Sequence, residues 1–171
     1  MCLHSSSAAT VTGHILNVLY PRIRSQFPLL KRCTRETFIS RAAVEFYDMA
    51  EKLRTEFELL AVFEEKQFFP SVLGTFNTKH TGIPGAGTDI PALLQVAAAK
   101  DDLLKELVEE IEISAEDLNL PPGHHIFIIT RIFTEEYHQE KAKWYAMLNG
   151  WNRSCDCFIR AAAFPIKPVV Q

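Results

Sequence analysis

Apolar residues recur along the chain at intervals of three and four, the spacing that lines one face of a helix, and the alternation expected of strands is missing. The first such segment runs from Val11 to Gln26, with Ile15, Leu16, Leu19 and Ile23 in phase and Pro21 expected to kink or end it. A second opens at the cap candidate Thr34 and continues to about Phe69, where Pro70 should stop it. Some 35 residues at ~1.5 Å each would span roughly 50 Å. The third starts near Thr88 and Asp89, has Pro91 in its first turn, and carries Leu93, Ala97, Leu104, Leu107, Val108 and Ile111. Ser114 to Asp117 is a candidate cap for a short extra turn before the break at Pro121-Pro122-Gly123. The fourth runs from His124 to Leu148, closed by Asn149-Gly150. Residues 74–87, rich in Gly, Thr, Asn and Pro, read as a loop.

Four amphipathic stripes without strands predict an all-α fold. The simplest way to bury them is an up-down four-helix bundle over residues 1–150. Residues 151–171 then form a C-terminal tail, packed back through Phe158, Ile159, Phe164 and Pro165. A globin-like packing is the other helical solution.

Charged residues interrupt these stripes. The line Ala42, Phe46, Met49, Leu53, Phe57, Leu60 reaches Glu64 before resuming at Phe68. On the third helix Lys100 falls between Ala97 and Leu104. On the fourth, Glu140 falls between Tyr137 and Trp144, flanked by Glu136 and Lys141. Charges are seldom buried unless paired or bound to a metal, because desolvating an isolated ion costs several kcal/mol. Two readings follow: a polar centre inside the bundle, or stripes that have drifted by one residue so that the charges reach the surface.

The chain has 171 residues, 18 Lys plus Arg and 21 Asp plus Glu, for a formal charge of −3. This balance argues against a nucleic-acid or anionic-membrane partner bound through bulk charge. With 47% hydrophobic and 23% charged residues, the composition is that of a compact domain. The sequence shows no secretory leader or membrane span, so a cytoplasmic address is the expectation. Cys2, Cys33, Cys155 and Cys157 make no disulfide framework, and Cys155-Asp-Cys157 lacks the spacing of a zinc knuckle. Glu135 and His138 stand at the Glu-x-x-His spacing used by di-iron carboxylate bundles, which need two such motifs where this chain has one. His124 and His125 suit the start of the fourth helix. No phosphate-binding Gly loop or Gly-x-Ser-x-Gly elbow is present.

Phe63-Glu64-Glu65-Lys66-Gln67-Phe68-Phe69-Pro70 resembles the Glu-Glu-x-x-Leu-Phe-Pro ending of the second helix in hemerythrin-like domains. Gln139-Glu140-Lys141-Ala142-Lys143-Trp144-Tyr145 is similar to the Lys-Glu-Asp-x-x-Leu-Tyr ending of that family's fourth helix. The resemblance covers residues 11–150 in layout and these two stretches in letters. It implies a bundle built around two non-haem irons. In the family these are held by a His on the first helix, His-x-x-x-Glu on the second, His-x-x-x-His on the third and His-x-x-x-x-Asp on the fourth. Carried over, His14 matches the first ligand and Glu64 the carboxylate of the second. Elsewhere this chain offers Leu60, Lys100, Leu104, Glu136 and Lys141. Leu cannot bind a metal, and a lysine ammonium has no free lone pair.

Three functions stay open on this reading. One is a metal-free hemerythrin-like bundle with a salt-bridged polar core drawn from His14, Glu64, Lys100, Glu136, Glu140 and Lys141. It would serve as a binding or regulatory module for a small ligand or protein partner. Another is a non-haem iron protein that binds oxygen or nitric oxide, or oxidises a substrate, at an altered site including His14, Glu64, Glu135 and His138. The third is a structural or interaction bundle of another kind. Self-association as a homodimer is compatible with each.

Overall fold

In a computed structural model, which describes residues 3–37, 41–74, 89–121 and 123–154, the described chain is helical and contains no strand. It forms a bundle of four helices: α1 (residues 3–37), α2 (residues 41–74), α3 (Ile90–Asp117) and α4 (residues 125–154). No helix among the described residues is long and apolar enough to cross a membrane. The expected loop lies, apart from Gly74, outside the described residues, as do Cys2, Cys155, Cys157 and most of the expected tail.

Both prolines expected to break helices sit inside them. Pro21 lies within α1 and Pro70 within α2. In each case a π turn comes first, at Ile15–Leu19 and at Glu64–Phe68. The Tyr20 N–H bonds the carbonyl of Ile15, and the Phe69 N–H that of Glu64, five residues back. A π turn widens the coil, which makes room for a pyrrolidine ring that would strike a carbonyl in a regular turn. Helix α1 continues past Pro21 to Thr37, with Pro28 inside its regular α-helical stretch, and Thr34, expected to cap the second helix, belongs to the first.

Helix α3 starts as its sequence predicts, with the Asp89 carboxylate accepting from the Ala92 N–H at 3.0 Å and Pro91 in the first turn. Ser114 to Asp117 form its last turn and not a separate one. The end is a Schellman arrangement. Leu120 N–H reaches the Ala115 carbonyl at 3.1 Å and Asn119 N–H reaches that of Glu116 at 2.8 Å, with Asn119 at φ 53°. His124 caps α4, its Nδ1 accepting from the Ile126 N–H at 3.3 Å. A third π turn follows at Ile132–Tyr137. Asn149-Gly150, expected to close this helix, lies inside it, and the helix runs to Ser154.

Named contacts fix the directions of neighbouring helices. Tyr20, Arg24 and Lys31 of α1 meet Glu64, Glu58 and Glu51 of α2, so these two run antiparallel. Thr12 and Arg22 meet Trp144 and Glu136 of α4 in the same sense. The core runs between all four helices. Its aromatic centre is Phe57, whose ring lies 5.3 Å from Tyr20, 5.6 Å from Phe133 and 5.8 Å from Phe27. Phe68 and Phe69 are buried and pack on the Trp144 ring.

Candidate functional site

Within this apolar core lie three charged side chains joined through Lys141. Glu64 is 0% exposed, Lys141 3% and Asp101 8%. The Lys141 ammonium donates to Glu64 Oε1 and stands 3.4 Å from Asp101 Oδ2. Three phenols complete the set: Tyr20 donates to Glu64 Oε2, Tyr137 to Asp101 Oδ1 and Tyr145 to Asp101 Oδ2. Lys141 Nζ also faces the rings of Tyr145, Phe69 and Tyr137 at 5.4, 5.7 and 5.8 Å. Every helix contributes to this centre.

Local structure aims these groups inward. On α4, Tyr137, Lys141 and Tyr145 are four residues apart and share one face. The π turn of α1 ends just before Tyr20, that of α2 begins at Glu64, and that of α4 ends at Tyr137. Such turns are uncommon and concentrate where a side chain must be redirected for function.

Burial sets the electrostatics. It lifts the Glu64 carboxyl above its ordinary range, and the nearby Lys141 charge opposes this without cancelling it. For Lys141, burial pushes downward, but the charges of Glu64 and Asp101 outweigh it and hold the ammonium above its usual value. Tyr20, Tyr137 and Tyr145 are pushed up by burial first and then by the neighbouring carboxylates. All five shifts favour the proton-bound form, so the phenols are neutral donors and the lysine is a cation.

Glu64 and Lys141, two of the residues named from the sequence, meet here. The others do not. His14 is exposed on α1. Lys100 is 31% exposed and lies 4.0 Å from Glu56, away from Glu64. Glu136 pairs with Arg22 and Glu135 with Arg131 at the surface, while Glu140 pairs with Lys143 at 2.5 Å. His138 is half-buried against Tyr137, and burial lowers its pKa. The buried line of α3 is Ala97, Asp101, Leu104, Val108 and that of α4 is Phe133, Tyr137, Lys141, Trp144. Lys100 and Glu140 thus lie one position off these lines.

No family model, curated protein or solved structure matches the chain.

The donor set does not fit a pair of irons. An ammonium stands between the two carboxylates where a metal would need lone pairs. Among the described residues no three His, Cys, Asp or Glu side chains converge. What the arrangement can do is hold charge and protons in a dry interior. Sequence reasoning missed Asp101 and the phenols of Tyr20, Tyr137 and Tyr145. The four-residue repeat of Tyr, Lys and Tyr on α4 was the available signal.

Proposed function

We propose that this chain is a metal-free bundle of the hemerythrin-like kind, in up-down order, that serves as a binding or regulatory module. In this reading Lys141 supplies the positive charge that metal ions supply in such bundles. The observation that carries it is the Lys141 ammonium lodged between Glu64 and Asp101. By the resemblance, Glu64 stands where the family has its second-helix carboxylate and Lys141 where the fourth helix has its Asp. A cation thus replaces a ligand and supplies, without iron, part of the positive charge that the metal ions would carry. The antiparallel contacts of α1 with α2 and α4 support the order of helices. The burial of the centre supports a role in holding the fold, with ligands or partners bound elsewhere.

Elemental analysis of the purified chain tests this directly. After anaerobic exposure to ferrous iron and desalting, the expected iron content is negligible, and the thermal melt is unchanged by a chelator. Two equivalents of iron per chain, with a melt that shifts on chelation, would refute the proposal.

A further inference from the structure

Two carboxylates and one ammonium meet where water does not reach, and the three phenols add no charge. With all three ionised, the centre carries one uncompensated negative charge. A buried charge of that kind costs several kcal/mol. The groups facing the centre are Tyr20 from α1, Glu64 from α2, Asp101 from α3, and Tyr137, Lys141 and Tyr145 from α4. Among the described residues no second cation joins them. Arg24 approaches the Tyr20 ring at 5.9 Å, but its guanidinium is engaged by Glu65 at 2.8 Å and Glu58 at 3.0 Å. His138 lies at the edge, with its buried Nε2 lacking a hydrogen-bond partner, and Lys105 and Glu109 act on it from the exposed side of α3.

We propose that the folded bundle binds one proton at this centre, on Glu64, and that folding draws this proton from solution. The inference deepens the reading of a metal-free centre and rests on it. A proton is the smallest cation that restores neutrality, and it fits without a new partner. A protonated Glu64 keeps its contact with Tyr20, whose hydroxyl can either donate or accept. The upward displacement of the Glu64 carboxyl agrees with this placement. Bound, the proton locks the bundle; released, it leaves an unbalanced charge in the core and loosens the four helices. The module is thereby coupled to the pH of its surroundings.

The infrared spectrum of the full chain at about pH 6, where exposed carboxyls are ionised, tests the proposal. The wild type should show the carbonyl band of a protonated carboxyl, and Glu64→Gln or Asp101→Asn should remove it. In urea unfolding, the folding constant of the wild type should fall, relative to that of Glu64→Gln, by up to tenfold per pH unit above the ordinary carboxyl range. A wild-type spectrum without the band overturns the proposal whether or not the variants fold, as does a band that survives both substitutions. Iron content measured on the same sample separates this failure from that of the metal-free reading.

Discussion

Replacing Lys141 by Met tests the electrostatic argument with little change in packing, since Met follows the same unbranched path and leaves no large cavity. The substitution strands Glu64 and Asp101, buried at 0% and 8% exposure, without their shared cation. With one proton already bound at the centre, loss of the ammonium leaves one negative charge uncompensated, so the variant must take up one proton more than the wild type. A carboxyl that is half-protonated near pH 4.3 when exposed resists protonation at pH 7 by about 4 kcal/mol, at ~1.4 kcal/mol per pH unit. The figure agrees with the ~3–5 kcal/mol expected when one partner of a buried ion pair is removed. Against a total stability of about 5–15 kcal/mol, such a loss is severe. Urea unfolding followed by circular dichroism should show it at pH 7. Because the loss is a protonation cost, it should shrink to about 1 kcal/mol at pH 5. A deficit under ~1 kcal/mol at pH 7, or one that does not shrink in acid, would refute the reasoning.

Further outcomes follow from neighbouring contacts. Tyr20→Phe deletes the hydroxyl bonded to Glu64, leaves a buried carboxyl oxygen unpaired, and should cost ~1–3 kcal/mol in chemical unfolding. Lys100→Ala should alter stability by no more than ~0.5 kcal/mol in the same assay, because its pairing with Glu56 at 4.0 Å is half-exposed. In alkali, Tyr20, Tyr137 and Lys141 all hold their protons more tightly folded than unfolded. Their contribution is therefore complete below the ordinary tyrosine and lysine range and lost as pH rises above about 10. Tyrosinate absorbance from the core phenols should appear together with loss of helical signal, and their ionisation in a chain that stays helical would count against the burial of these phenols.

The four helices were legible because their apolar spacing is long and regular. On α2 the stripe through Leu53, Phe57, Leu60 and Glu64 could be followed to the buried carboxylate. On α3 and α4 the same method landed one residue short, on Lys100 and Glu140 in place of Asp101 and Lys141. The two positions differ by about 100° around a helix, and a charged residue at both leaves hydropathy with nothing to choose between them. The prolines misled for a related reason. A proline ordinarily ends a regular helix, but the π turns ahead of Pro21 and Pro70 accommodate the ring and leave no mark in the hydropathy pattern. The phenols belong to the aromatic core, and that their hydroxyls converge on two carboxylates depends on contacts between helices that no single helix encodes.

The π turn at Ile15–Leu19 also divides the labour of α1. A widened turn acts as a one-residue insertion, so the segment ahead of it and the segment behind it can choose their faces independently. Upstream, Thr12 is turned to receive the Trp144 indole at 2.7 Å; downstream, Tyr20 is turned to Glu64. Excising one residue from the widened stretch would wind the coil back to regular pitch. The leading arm would then swing by about 100°, parting Thr12 from the indole while the phenol stayed in place.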